Sequence, residues 1–416
     1  MESTGVRIEG TGLVTCLGEG AAAVFDCMCD GVCGIRPIDR FPAECFAQSC
    51  GGQIPPDLED RLRGEYPDAD LAVAMIHTAA EEALLSARGG QERAAVDTDD
   101  RFGLVLGSNF GPMESLEWCW RERLDEGTMD ERTFCQWRDI VPSIARAFGC
   151  GGPSVQLSLS CASGAAALAL GKQWIETGRA DRVLVVAYDT LTEFCWAGLS
   201  NLRTITSDMI RPFDQRRAGT IFSEGAAAAV IAKPQRGNET SDVGIRLAGA
   251  AMNNNAFHLT APAKEGDGSR RVMKAALDDA GLAPECVTHI SAHATGTAAN
   301  DKTEAEAFRN VFGDCLDKMS VAAHKAQIGH MMGAAGLAEA VLTAEVLRQG
   351  RVPPIVNHGE KDPECPVPVH TSLIATSARC AITNSAGIGG HNASLVLVKE
   401  DAPEGNEMRR YRKRCP

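Results

Sequence analysis

Three residues of the 416-residue chain combine reactive side chains with telling surroundings. They are Cys161 in Leu157-Ser158-Leu159-Ser160-Cys161-Ala162-Ser163-Gly164, His293 in Ser291-Ala292-His293-Ala294-Thr295-Gly296-Thr297, and His330 in Gly329-His330-Met331-Met332-Gly333. A thiol attacks well as its thiolate, and the unpaired N–H groups and positive dipole end of a helix N-terminus lower its pKa. Cys161 stands where an apolar stretch gives way to the small-residue run Gly164-Ala165-Ala166-Ala167, the pattern of a strand turning into a helix. The two histidines each follow a strand-like segment in Gly-rich sequence. A nucleophile with two such partners points to acyl transfer through a thioester.

The elements that must position this trio read from apolar periodicity. Strands are predicted at Val6 to Val14, Phe102 to Leu106, Arg182 to Ala187, Ala226 to Ile231, Ile245 to Ala250, His289 to Ala292, Cys380 to Thr383 and Ser394 to Val398. Helices are predicted at Ala21 to Cys29, Leu71 to Ala87, Ser163 to Thr177, Ser269 to Ala280, Asp301 to Phe312 and Gly336 to Gln349. Alternation of this kind is the signature of layered α/β architecture. The runs Gly164-Ala165-Ala166-Ala167-Leu168 and Gly333-Ala334-Ala335-Gly336-Leu337 echo each other, each opening a small-residue helix after a reactive motif. The echo predicts two similar halves joined near Pro234 to Asp242, each sending one helix to the centre.

Composition narrows the function classes. A net charge of −14 disfavours nucleic acid, which needs a basic surface. The exception is the end of the chain, where Arg409, Arg410, Arg412, Lys413 and Arg414 read as a solvated, disordered basic tail over 401–416. No apolar run is long enough to cross a bilayer and no signal peptide is indicated, so a cytoplasmic enzyme is expected. The 16 cysteines are irregularly spaced, which favours reduced thiols. Cys27, Cys29 and Cys33 lack the paired C-x2-C spacing of zinc sites, and no histidine pair has metal-ligand spacing, so no metal is expected. His77, His258, His289, His358 and His370 take the ordinary reading of surface or hydrogen-bonded residues.

Taken together, the motifs resemble the β-ketoacyl-acyl-carrier-protein synthases, in the elongating, type II-like branch of the thiolase-fold condensing enzymes. The likeness runs from Gly10-Thr11-Gly12-Leu13-Val14-Thr15 through Gly107-Ser108-Asn109-Phe110-Gly111, Arg211-Pro212-Phe213-Asp214 and Ser223-Glu224-Gly225 to Asn384-Ser385-Ala386-Gly387-Ile388-Gly389-Gly390-His391-Asn392. It implies an α/β thiolase fold of two βαβαβαββ halves in five α-β-α-β-α layers: residues 1–238 carrying the nucleophile and residues 239–400 carrying the histidines. It also implies that Cys161 takes an acyl group, that the N–H groups of Cys161 and Ile388 form an oxyanion hole, and that His293 and His330 stabilise the enolate formed when a malonyl thioester loses carbon dioxide. Lys325 and Glu339 match positions with a supporting electrostatic role, although a purely structural ion pair would use the same residue types. Thr295 and Thr297 match pantetheine-binding threonines, where capping of a loop is the ordinary alternative.

Other positions depart from the family pattern. Ile388 stands where the family has a gating Phe, and Ala218 and Thr220 replace an Asp and a Phe facing the same loop. Phe110 occupies the far end of the acyl pocket where Ile is common, Ser200 replaces a pocket Phe, and Phe222 is a further pocket residue. These exchanges predict an unusual acyl specificity. Arg61 and Arg63 are the candidate contacts for an acyl carrier protein, set among acids, with solvated surface charge as the alternative. The resemblance implies a homodimer, with a heterodimer of related subunits as the other arrangement, and no cofactor beyond substrates carried on phosphopantetheine. Two other functions share these residues: acyl transfer or hydrolysis without condensation, and a partner subunit of a ketosynthase heterodimer.

Overall fold

The computed structural model describes residues 5–91, 98–126, 138–234 and 244–400. The basic tail, and all of the predicted junction but Pro234, lie outside the described residues. Ten strands form the central path: β1 (Val6–Thr15), β2 (Phe102–Gly107), β3 (Ser154–Leu157), β4 (Arg182–Asp189), β5 (Gly225–Ala232), β6 (Ile245–Asn254), β7 (His289–Ser291), β8 (Ser320–Ala322), β9 (Cys380–Gly387) and β10 (His391–Lys399). Five helices matter for the site: α1 (Leu71–Ala87), α2 (Ser163–Glu176), α3 (Asp267–Ala280), α4 (Ala298–Phe312) and α5 (Ala335–Gln349).

The strand order repeats. In the first half it runs β3-β2-β4-β5-β1 and in the second β8-β7-β9-β10-β6. Directions repeat too. β2 is parallel to β3 and β4, while β5 is antiparallel to β4 and β1; β7 is parallel to β8 and β9, while β10 is antiparallel to β9 and β6. The sequence echo predicts this duplication. The two sheets also join edge to edge, through a short antiparallel pairing of β1 with β6 at Val6↔Leu247 and Ile8↔Ile245.

Helix α1 covers one face of the first sheet, α3 lies on the second with α4 packed beside it, and α2 and α5 form the layer between. Strands covered on both faces must be apolar throughout. Accordingly β5, Gly-Ala-Ala-Ala-Ala-Val-Ile-Ala, is buried along its whole length. The two inner helices meet at their small residues. A Cβ on Gly164 would lie 2.7 Å from the Leu337 amide nitrogen, and one on Gly336 would lie 2.8 Å from that of Ala165. This backbone-to-backbone contact brings the start of α2, and with it Cys161, against the start of α5 and the His330 loop.

All eight predicted strands and six predicted helices are present, including Ala21–Cys29. The strands expected without bounds ahead of Cys161 and His330 are β3 and β8, whereas the sequence reading missed the helices Pro56–Glu65, Met113–Glu126, Ile140–Phe148 and Glu193–Ser200. No helix of the described residues is long and apolar enough to cross a membrane. Among the described residues no cluster of His, Cys, Asp or Glu is placed to hold a metal ion. Thirteen of the described cysteines are free thiols.

Candidate active site

Strand β3 ends at Leu157, and the chain turns before α2 begins at Ser163. Ser160 takes a left-handed conformation, φ 54°, which turns the chain so that Cys161 faces the cavity. The Ser163 hydroxyl holds the corner, donating to the Ser160 carbonyl at 2.6 Å and accepting from the Leu159 N–H at 2.8 Å. A second non-glycine residue in this conformation, Ala294 (φ 40°), follows His293, and a third, Met332 (φ 50°), lies two residues beyond His330. Left-handed backbone costs roughly 1–2 kcal/mol for a residue with a Cβ. All three candidate residues thus sit beside strained backbone, a common property of functional sites.

Cys161, His293 and His330 line one cavity of about 550 Å³ with Phe110, Thr295 and Thr297, and Phe222 and Ile388 complete the predicted lining. The imidazoles of His293 and His330 meet edge to face, with ring centroids 5.4 Å apart, and Phe222 stacks at a tilt on His330, also at 5.4 Å. Backbone bonds fix the His330 main chain, whose N–H donates to Ile221 O and whose carbonyl accepts from Ser223 N.

Hydrogen bonds set the tautomers. The Lys325 ammonium, which can only donate, lies 3.3 Å from His293 Nδ1, and the Met332 N–H donates to His330 Nδ1 at 3.2 Å. Both Nδ1 atoms therefore accept, and each neutral ring carries its proton on Nε2. Burial, reinforced by the Lys325 charge, holds both histidines well below the usual imidazole pKa, so both stay neutral at physiological pH. The pair is a set of two neutral N–H donors.

Lys325 also forms a buried ion pair with Glu339 on α5. Burial pushes the Glu339 carboxyl up to about 7 against the pull of Lys325. A second carboxylate, Glu304 of α4, accepts from the His293 and Ala294 N–H groups at 2.8 Å each and from Asn384 Nδ2 at 2.8 Å. It anchors the left-handed turn at Ala294. Sequence reasoning missed Glu304 and Asn384, because a carboxylate that accepts backbone N–H groups has no local signature.

The thiol itself departs from expectation. Burial raises the Cys161 pKa above the ordinary 9.0, outweighing the lowering by the Ser160 hydroxyl, the Lys325 charge and the Ile388 N–H. The predicted depression at a helix N-terminus is thus corrected: desolvation in the cavity is the larger effect. The Ile388 N–H nevertheless pulls the thiol pKa down, and its loop packs close to the nucleophile corner: a Cβ on Gly387 would lie 3.1 Å from the Cys161 amide nitrogen. The loop from Gly387 to Gly390 is stitched to a neighbouring segment by Gly389 N–H to Leu259 O at 2.7 Å and Asn254 Nδ2 to Gly389 O at 2.8 Å.

The remaining predicted residues divide. Thr297 is the N-cap of α4, accepting from Asn300 N at 3.3 Å, and its hydroxyl lies 2.9 Å from that of Thr295; both line the cavity. Ser200 ends the helix Glu193–Ser200 and is outside the cavity lining, where its neighbour Leu199 takes part instead. Arg61 pairs with Glu19 at 2.5 Å and Glu65 at 3.1 Å, and Arg63 with Glu114 at 2.6 Å and Glu59 at 2.8 Å. Both guanidinium groups are engaged by the chain's own carboxylates.

Comparisons with known proteins agree with this fold. Family models described as beta-ketoacyl synthase, N-terminal domain and C-terminal domain, match residues 3–236 and 245–358. The chain is 30% identical to 3-oxoacyl-[acyl-carrier-protein] synthase 2 of Staphylococcus aureus (strain COL) over 95% of this chain and 99% of that protein. It is 30% identical to nodulation protein E of Rhizobium meliloti over 94% of this chain and 98% of the relative. Among solved structures, the ishigamide ketosynthase/chain length factor superposes with a TM-score of 0.87 at 29% identity, covering 96% of this chain and all of the matched one. On sequence motifs, duplicated sheet and cavity alike, the chain belongs to the β-ketoacyl synthase family.

Proposed function

We propose that this protein catalyses the decarboxylative condensation of an acyl group held on Cys161 with a malonyl unit delivered by an acyl carrier protein. The observation that carries this reading is the convergence on one cavity of the Cys161 sulfur, the Ile388 N–H and two neutral Nε2–H donors. In the first step the sulfur attacks the acyl thioester, the carrier thiol leaves with the cysteine proton, and an acyl-enzyme forms. Malonyl then loses carbon dioxide as its C–C electron pair moves onto the thioester oxygen, where the N–H groups of His293 and His330 receive the charge. The enolate carbon attacks the acyl carbonyl, whose oxygen is held by the Cys161 and Ile388 amides. The C–S bond breaks and the thiolate is reprotonated from solvent.

Two donors suit a single developing oxyanion because they are fixed before the charge appears and need no reorganisation. Lys325 supports the pair by holding the His293 tautomer. Substrates arrive on the phosphopantetheine arm of their carrier, with Thr295 and Thr297 beside its path, so no resident cofactor is required. Phe110 narrows the acyl side of the cavity, which favours an acyl specificity unlike that for long, straight, saturated chains. We place the enzyme in the cytoplasm, as a homodimer joined through the open edge of its sheet at β3, with a related partner subunit as the other arrangement.

Intact mass of the enzyme after exposure to acyl-carrier protein tests the first step, and carbon dioxide release from malonyl-carrier protein tests the second. We expect an acyl adduct on Cys161 and release of carbon dioxide. His293→Ala or His330→Ala should keep the adduct and lose release by about 10²- to 10³-fold, the cost of one oxyanion donor. An adduct without carbon dioxide release would assign plain acyl transfer or hydrolysis instead. No adduct at all would assign a partner subunit.

A further inference from the structure

Between the acyl pocket and the His330 loop lies one buried carboxylate that the mechanism above does not use. Asp189 ends strand β4 and is wholly buried. On the pocket side it accepts from Ser108 Oγ at 2.7 Å, the Phe110 N–H at 2.9 Å and the Asn109 N–H at 3.0 Å. Ser108 in turn accepts from the Gly111 N–H at 2.8 Å, closing the loop that carries the Phe110 wall. On the other side, Asp189 Oδ2 accepts from the Gly333 N–H at 2.7 Å. Gly333 directly follows Met332, the left-handed residue whose N–H fixes the His330 tautomer. One side chain therefore holds the wall of the acyl pocket and the turn beneath the decarboxylating imidazole.

We propose that Asp189 is a positioning residue through which filling of the acyl pocket promotes decarboxylation at His330. It rests on the condensation reading given above. A chain packed against Phe110 presses the Ser108–Gly111 loop onto the carboxylate and favours the arrangement in which the Gly333 N–H is also held. That arrangement presents Met332 N–H to His330 Nδ1 and leaves Nε2–H aimed at substrate. With the pocket empty, the loop is free to draw the carboxylate away from Gly333. Such a link serves the reaction, since malonyl that decarboxylates before Cys161 is acylated is wasted. Hydrogen bonds to a charged group in a low-dielectric interior are strong enough to transmit a displacement of this kind.

The test measures carbon dioxide release from malonyl-carrier protein in a single turnover, comparing enzyme pre-acylated on Cys161 from hexanoyl-carrier protein with unacylated enzyme. The wild-type ratio of the two rates should fall in the range of about 5- to 150-fold that couples two sites. Asp189→Asn, whose amide must turn N–H groups toward one set of donors, should acylate normally yet bring the ratio close to one. Ser108→Ala removes a single donor on the pocket side. It should give an intermediate ratio, and it keeps the proposal testable should Asp189→Asn fail to fold. A wild-type ratio of one, or an unchanged ratio in either folded variant, overturns the coupling while leaving condensation intact. Absence of carbon dioxide from every sample removes the condensation reading, and the coupling with it.

Discussion

Cys161, the proposed nucleophile, is a thiol that is not pre-ionised. Its pKa lies above 9.0 because burial outweighs the N–H, hydroxyl and ammonium groups around it. Raising a thiol pKa lowers the thiolate fraction at every pH below it, so the sulfur rests as the neutral thiol at pH 7. Alkylation of Cys161 by iodoacetamide, followed on its own peptide by mass spectrometry, should quicken about tenfold per pH unit from pH 7 to 9 without levelling off. A plateau below pH 8 would show instead a thiol depressed by the start of α2. His293 and His330, neutral throughout that range, add no inflection. That Cys161, His293 and His330 come together in one cavity was legible because reactive side chains lay in Gly-rich or small-residue motifs. Glu304, Asn384 and Asp189 were not: Glu304 and Asp189 accept backbone N–H groups from other segments, and Asn384 donates to the Glu304 carboxylate. Ser160, Ala294 and Met332 were equally silent, because a left-handed position filled by a residue other than glycine leaves no trace in composition.

The contact between α2 and α5 sets the distance between Cys161 and the His330 loop. Its closeness depends on hydrogen atoms at two positions. A methyl on Gly164 would meet the Leu337 nitrogen at 2.7 Å and the Gly333 oxygen at 3.0 Å, and one on Gly336 would meet the Ala165 Cβ at 2.9 Å. These are mostly backbone atoms, so the helices must separate. Gly164→Ala and Gly336→Ala should each lower stability by about 1–3 kcal/mol, despite the better helix propensity of alanine. Because the two sites touch, the double variant should cost less than the sum. Urea unfolding measures this, and an unchanged midpoint in both single variants would mean that the inner helices are not locked together. The small-residue echo made this crossing legible. Long apolar elements were legible as well, whereas the charge-rich helix Pro56–Glu65 was not, since a surface helix needs little apolar pattern.

At the scale of the whole molecule, the duplicated sheet leaves one end unfinished. The far strand of the second half, β8, is buried throughout, but β3 at the opposite end is exposed at Ser154 and half-buried beyond. An unpaired edge invites pairing with another chain. The hydrogen bonds say which residues face outward. Pro153 O accepts from Leu104 N and Leu157 O from Ser108 N, so 153, 155 and 157 face β2, whereas 154 and 156 point their N–H groups away from it. Proline at 154 therefore deletes an outward donor without touching the β2 pairing, and it keeps the Tyr188 hydroxyl bond to Gln156. Sedimentation equilibrium should find the wild-type protein at twice its 44.1 kDa chain mass, and Ser154→Pro shifted toward the single chain with its unfolding midpoint little changed. Wild-type protein at the single-chain mass, or a proline variant that remains fully paired, would rule out assembly through this edge. The outcome bears on the proposed catalysis directly, since β3 runs into the Cys161 corner and a partner strand laid along it would stiffen the backbone that presents the thiol.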